Sequence, residues 1–360
     1  MQEHLHGISP VYMRSKIIEQ DLNTIVDTPL PWNTFFGSSV LITGATGFIA
    51  AYIVETLLYL NELKKEKPIQ VICLVRNKKR ALQRFSHYKN RKDVIFWIQD
   101  VCKPVNSKKK IDYIIHAASH ATPSKYGSDP VGTLLPNVLG TYNMLELAKR
   151  QRIKGFLFIS SGEVYSGLPK RVTSIKETTV GALNPLLLRS CYAESKRMGE
   201  TMCMSWFHQF KVPVKIARLF HTYGPGMKLG DGRVHSDFID STVHGKDIIM
   251  KSNGEAIRTF CYVTDAVNSI FTILLKGKVG EAYNVGSDKK MTIRKFADTV
   301  AAVYPGRKLR VLKDTRDQGI QYLSSQNMTL CPLLSKIKSL GWRDRVSLQK
   351  GLVRTIESYI

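Results

Sequence analysis

Residues Ser38–Leu60 read SSVLITGATGFIAAYIVETLLYL. Val40-Leu41-Ile42 is a short apolar run with the length and content of a buried strand. The run stops at Thr43-Gly44-Ala45-Thr46-Gly47. An apolar pattern far too long for a strand then starts at Phe48, Ile49 and Ala50 and reads as a helix. Glycines 44 and 47, with Ala50, allow a tight turn and a close backbone approach. The helix N-terminus adds a partial positive charge. Together these are the parts of a pyrophosphate cradle, so the stretch is read as a dinucleotide-binding loop.

The same alternation continues outward. IQVICLV (69–75), VIFWIQD (94–100), IDYIIHAAS (111–119), GFLFISS (155–161) and PVKIARLF (213–220) read as further strands. GTLLPNVLGTYNMLELAKRQ (132–151) and YAESKRMGETMCMSWFHQF (192–210) read as helices between them. Short apolar strands alternating with helices predict an α/β fold, a doubly wound parallel (Rossmann) sheet. After Phe220 the pattern loosens into loops and short elements, which predicts a smaller, mixed C-terminal substrate-binding lobe. The expected division is an N-terminal helical extension over 1–37 and a dinucleotide-binding domain over 38–220, to which 259–285 returns. The substrate lobe is expected to use 221–258 and 286–360. Residues 10–26 are predicted to form an amphipathic helix, ended by Pro29 and Pro31.

Composition narrows the function. The chain has 360 residues and a formal net charge of +24, so an anionic partner suits it. Nothing in it matches an RNP motif or the aromatic-basic interleaving of single-strand binders, so no specific nucleic acid is expected. No apolar run is long enough for a membrane span and the N-terminus has no secretory pattern. Six scattered cysteines without a Cys-x-x-Cys imply free thiols, a reducing cytoplasm and no structural metal.

The chemistry sits at strand ends. Asp100 follows the third strand and suits the adenine amine. The second strand ends Leu74-Val75-Arg76-Asn77, without the carboxylate that usually takes the adenosine ribose. Arg76 favours a 2′-phosphate, while Asn77 can still bond a ribose, so NAD and NADP both stay open. The fifth strand ends Ser160-Ser161-Gly162-Glu163-Val164-Tyr165. Tyr192 and Lys196, four residues apart, share one face of a helix.

The ordered set TGATGF, HAA, SSGEVY, YAESK, RTFCYV and YNVGS resembles the extended short-chain dehydrogenase/reductase family. Within it, the resemblance is to the sugar-nucleotide epimerase/dehydratase branch. It spans about residues 38–350, and YGSDPVGTLLPNVLGTYNMLELAKR, RSCYAESKRMGETMC and DGRVHSDFI look most like UDP-glucuronate decarboxylases. The resemblance implies a tightly bound, recycled nicotinamide cofactor and transient oxidation at sugar C4. Tyr192 would be the base, with Lys196 lowering its pKa and holding the nicotinamide ribose. Ser161 would bond the C4 oxygen, and Glu163 would act near C5 and C6 and contact the sugar. Gly44, Thr46, Gly47, Phe48, Ile49, Val101, Ala117, Ala118, Ser119 and Asn137 would line the cofactor. Tyr126, His221, Arg233 and Arg258 would face the substrate, with the His221 charge depending on pH.

Gly162 departs from the pattern. Dehydratases of the branch carry an aspartate there and decarboxylases usually a serine. Decarboxylation, epimerisation at C4 or C5, 4,6-dehydration and net reduction of a 4-keto sugar with NADPH therefore all remain open outcomes. A non-catalytic basic binding protein is the reading least in keeping with an intact Ser161, Tyr192 and Lys196. The resemblance also implies a homodimer built on the helices around 133–150 and 192–209.

Overall fold

The computed structural model describes residues 15–64, 66–169, 172–303, 309–314 and 329–360. In chain order the elements are α1 (Lys16–Val26), β1 (Ser39–Thr43), α2 (Phe48–Leu63), β2 (Gln70–Val75), α3 (Lys78–Arg84), β3 (Val94–Ile98), β4 (Tyr113–His116), α4 (Pro123–Ser128), α5 (Pro130–Gln151), β5 (Gly155–Ser161), α6 (Ser190–Phe210) and β6 (Val214–Leu219). There follow β7 (Thr222–Tyr223), α7 (Val234–Val243), β8 (Ile248–Met250), β9 (Ile257–Arg258), β10 (Cys261–Tyr262), α8 (Val263–Lys276), β11 (Glu281–Val285), β12 (Met291–Thr292), α9 (Ile293–Val303), β13 (Val311–Lys313), β14 (Thr329–Leu330), α10 (Ser335–Lys338) and α11 (Leu348–Glu357).

Seven strands form one parallel sheet in the order β3-β2-β1-β4-β5-β6-β11. The chain runs β1, β2, β3 to one side and then returns to place β4 on the other side of β1. That reversal opens a crevice at the C-terminal ends of β1 and β4, where ligands bind in open α/β sheets. Every strand of this sheet is parallel, so Gly44, Arg76, Asp100, Ala117 and Phe220 follow strand ends, and Ser161 ends β5, on this one edge. The shorter strands make a small mixed sheet, β12-β9-β14, and two parallel pairs, β13-β8 and β10-β7.

The helices bury their apolar content against the sheet. In α2 every residue from Ala50 to Leu60 is buried, as expected of a helix that is apolar on all sides. α1 explains this, because it packs on α2 and α8 and places Ile18, Leu22 and Ile25 in the same core. Its Asp21 is also buried, and accepts from the hydroxyls of Tyr52 (2.9 Å) and Tyr262 (2.9 Å) and from Arg354 of α11 (2.7 Å). The helix predicted over 10–26 thus begins at Lys16, capped by Ser15, and residues 10–14 lie outside the described residues. The described part of the extension, through α1, covers the helical layer formed by α2 and α8.

Candidate active site

Thr43 and Gly44 build the floor of the crevice. The Thr43 hydroxyl accepts from the amides of Ala117 (3.1 Å) and Ala118 (3.0 Å) and meets His116 Nδ1 at 2.7 Å. Gly44 has φ +64°, and a Cβ there would sit 2.8 Å from Ala118 Cα. Only glycine fits that close approach. Gly47 caps α2 without any side-chain bond to the first-turn amides, and Thr46, Phe48 and Ile49 surround that end only half-buried. A left-handed glycine, small residues at 117 and 118 and an uncapped helix N-terminus suit a pyrophosphate in every respect the residues test. When bound there, a nicotinamide dinucleotide supplies a reversible hydride acceptor.

At the adenosine end, Asp100 accepts from the Cys102 amide (2.9 Å) and so forms a turn, while Val101 is buried against α5 at Gly140. Asn77 caps α3, its Oδ1 accepting from the Arg80 amide (2.9 Å). Arg76 donates to His120 Nε2 (2.8 Å) and lies 4.0 Å from Asp100.

Farther along the edge, α6 brings Tyr192 and Lys196 to the end of β5, both buried. The Ser161 hydroxyl accepts from the Glu163 amide (3.2 Å) and caps the tight turn 162–165. Burial pushes the Tyr192 phenol up to about 12, with nearby Ser161 the largest influence lowering it. Lys196 Nζ donates to the Ile159 carbonyl (2.7 Å) and lies 5.9 Å from the Tyr192 ring, and burial pulls its pKa down to about 7. Left to these protein groups, the pair therefore departs from the expectation of a Lys196 cation depressing Tyr192. Desolvation is the larger effect on both. A positive charge delivered beside Tyr192 would bring its pKa back down, while the same charge would lower that of Lys196 further.

Asn137 of α5 donates to Ser195 Oγ (3.0 Å), and that hydroxyl donates to the Tyr192 carbonyl (2.8 Å). Asn137 thus positions the helix carrying Tyr192 and Lys196. Its Oδ1 is buried without a hydrogen-bond partner among the described residues. Tyr126 stacks on Tyr192 with ring centroids 4.9 Å apart and planes 12° apart, so it forms a wall for the phenol.

Glu163 accepts from Ser166 Oγ (3.0 Å) and from Arg189 (3.5 Å). Beside it, Gly162 is not an open slot. A Cβ at 162 would lie 3.0 Å from the Phe220 ring, which occupies the space a longer residue needs.

The smaller lobe supplies cations. Arg233 is braced by Asp231 (2.6 Å), and Arg258 is buried and donates to the Ile257 carbonyl (2.8 Å). His221 joins them, and the expectation that its charge follows pH is corrected. Burial, then Arg258 and Arg233, hold its pKa down to about 3, so it stays neutral over the working range. His235 and Phe260 stand 5.9 and 5.7 Å from it, centroid to centroid. Sequence reasoning missed Arg189, Phe220 and His235, because nothing local marks them. The start of α6, the end of β6 and α7 bring Arg189, Phe220 and His235 to this edge. Among the described residues no cluster of His, Cys, Asp or Glu is placed to hold a metal, and no helix is long and apolar enough to cross a membrane.

Comparison with known proteins agrees with this geometry. Residues 40–286 match the model of the NAD dependent epimerase/dehydratase family. The chain is 34% identical over 329 residues to UDP-glucuronic acid decarboxylase 6 of Arabidopsis thaliana, covering 90% of each. It is 33% identical to UDP-glucuronic acid decarboxylase 1 of Xenopus tropicalis, over 89% of this chain and 72% of that one. Its fold matches UDP-glucose 4-epimerase of Thermotoga maritima with a TM-score of 0.76 at 21% identity, over 89% of this chain and 98% of that one. A UDP-glucuronic acid 4-epimerase of Bacillus cereus matches with a TM-score of 0.75 at 20% identity, over the same shares. With a dinucleotide crevice, a Ser-Tyr-Lys edge and these relatives over nine-tenths of its length, the chain belongs to the NAD dependent epimerase/dehydratase family.

Proposed function

We propose that the protein is a UDP-glucuronate decarboxylase: it oxidises a nucleotide-linked hexuronate at C4 and releases C6 as carbon dioxide. Tyr192 accepts the C4 hydroxyl proton while Ser161 bonds the same oxygen. A nicotinamide dinucleotide held at Gly44, Gly47 and Ala118 would supply a reversible hydride acceptor for C4, so none would be consumed. A C4 ketone makes the sugar a β-keto acid. The C5–C6 bond then breaks and its electron pair moves onto the C4 oxygen between Tyr192 and Ser161; the resulting enolate takes a proton from solvent at C5, restoring the C4 ketone before it is reduced. Arg258, Arg233 and neutral His221 face the anionic parts of the substrate.

The observation that carries this reading is the 34% identity to UDP-glucuronic acid decarboxylase 6 over 90% of each chain, while Gly162 with Phe220 packed over it argues against dehydration. Expelling a C6 hydroxyl needs a nearby acid. Position 162 offers no side chain, and the Glu163 carboxylate is tied to Arg189 and Ser166. Loss of carbon dioxide needs no acid for bond cleavage. The decarboxylase relatives support the choice. C4 epimerisation is the second reading, since it also needs nothing at 162.

Mass spectrometry of a reaction with UDP-glucuronate decides between them. Decarboxylation predicts UDP-pentose and carbon dioxide. An isomer of unchanged mass shifts the assignment to epimerisation. No change across a panel of nucleotide sugars defeats both.

The reading includes a homodimer and a cytoplasmic location. Exposed Leu139 and Tyr142 on α5 and Met198 and Phe210 on α6 support a shared helical face. The cysteines, all free, support a reducing compartment. Sedimentation should find a dimer that Leu139→Lys with Met198→Glu converts to monomer.

A further inference from the structure

We propose that the edge of the main sheet opposite the crevice is a basic docking face for the surface of an anionic lipid membrane.

All seven strands of that sheet run parallel, so every segment leading into a strand reaches it on the same edge, away from the crevice. The lysine-rich stretches of the chain fall in these segments. Lys64 and Lys67 lead into β2, and Lys89 and Lys92 into β3. Lys108, Lys109 and Lys110 lead into β4, Arg152 into β5 and Lys211 into β6. Each is exposed, and among the described residues none has a carboxylate within ion-pair distance. The segment before β4 is tied to the end of α5, where Arg150 donates to the Val105 carbonyl (2.6 Å) and Lys110 to the Gln151 carbonyl (3.0 Å). Strands spaced about 4.8 Å apart make this seven-strand edge about 30 Å across.

Acids do not offset the charge. Segments 64–69, 85–93, 105–112, 152–154 and 211–213 contain only Glu66, Asp93 and Asp112. Asp93 and Asp112 are buried, one held by Arg91 (2.9 Å) and the other by Lys154 (3.2 Å). The net field at this edge is therefore positive.

The side chains favour a lipid surface over a nucleic acid. Lysine ammoniums are hydrated point charges, suited to a diffuse anionic plane more than to a phosphate of fixed geometry. Among the described residues, short segments build this edge and no helix or ribbon projects from it to enter a groove. The exposed aromatic at this end, Phe210, has the Lys149 ammonium 3.8 Å from its ring centre, which leaves it a poor platform for a base. Leu63 closes α2 with 49% of its surface exposed, directly before Lys64, and places an apolar group among the cations as interfacial segments do. A membrane held here leaves the crevice, on the far edge, open to solution.

The test is co-sedimentation of the purified full-length protein with vesicles. One set is phosphatidylcholine alone; the other is three parts phosphatidylcholine to one part phosphatidylserine. At about 0.1 M salt the protein should pellet with the anionic vesicles and not with the neutral ones. At about 1 M salt, where the screening length falls to about 3 Å, it should be released. Each lysine at an anionic surface changes partitioning about fivefold. Lys108→Glu with Lys109→Glu and Lys110→Glu should therefore weaken binding about tenfold or more. Lys78→Glu with Lys79→Glu and Arg80→Glu makes the same charge change beside the crevice and should weaken it far less. On the unmodified protein, anionic vesicles should protect Lys64, Lys108 and Lys109 from acetylation, read by mass spectrometry, and leave Lys78 and Lys79 reactive. That measurement decides the matter even where a variant does not fold. Equal pelleting with both vesicles overturns the proposal, as does equal loss in the two triple variants, which would reflect net charge alone. Binding of a duplex oligonucleotide through the same lysines, without binding to vesicles, also overturns it and assigns the face to nucleic acid. No sugar is turned over in this experiment, so its outcome is separate from that of the decarboxylase assignment.

Discussion

Residue by residue, the site is governed by desolvation. Tyr192 reaches about 12 and Lys196 about 7 because both lie under protein, not because of a charged neighbour. Tyr192→Phe should lower kcat by about a thousandfold, the scale of general base catalysis, with nucleotide-sugar affinity retained in calorimetry. Lys196 also links stability to pH. Its folded pKa of about 7 lies below the ordinary 10.5. Between those values the unfolded chain holds the proton and the folded chain does not, so stability rises with pH across that window. Without added cofactor, the unfolding midpoint of the native protein should climb from pH 7 to 10 relative to Lys196→Met. A constant difference between the two would refute the burial argument. Gly162 is set by packing, and Gly162→Ser should cost about 1–3 kcal/mol by crowding Phe220. Phe220→Leu in the same chain should recover part of that loss, as read from urea midpoints.

Among the elements, α5 and α6 matter most for the chemistry, because their packing sets where Tyr192 and Lys196 point. One side-chain bond, Asn137 to Ser195, links them at the height of the site. Asn137→Ala removes that bond, and the expected cost is about 1–2 kcal/mol in unfolding free energy. If Asn137 positions the helix, kcat should fall further than KM rises. Equal changes in both would mean a purely structural bond. These two helices were legible in the sequence, as was α2, because each is a long apolar pattern next to a strand of quite different length. The ends were less legible. α5 starts at Pro130, where proline is pre-organised for a first helical turn, rather than at Gly132. The small strands β7 to β10 carry too few residues to show any period.

Over the whole molecule, the N-terminal and C-terminal helices close on each other. Arg354 of α11 reaches Asp21 of α1 across 333 positions, with Tyr52 and Tyr262 completing the shell around the carboxylate. Arg354→Ala leaves that buried carboxylate short of its cation and should cost about 3 kcal/mol, measured by denaturant unfolding. Nothing near residue 21 or residue 354 announces this pair. The sequence by itself determined the parallel sheet, the glycine loop and the Ser161, Tyr192 and Lys196 positions, since strand length, glycine placement and helical spacing are local properties. Only the tertiary structure decided that Phe220 fills the space beside Gly162, that His221 is neutral and that Arg189 holds Glu163. Those facts depend on burial and on contacts between distant elements, and burial is a property of the folded chain alone.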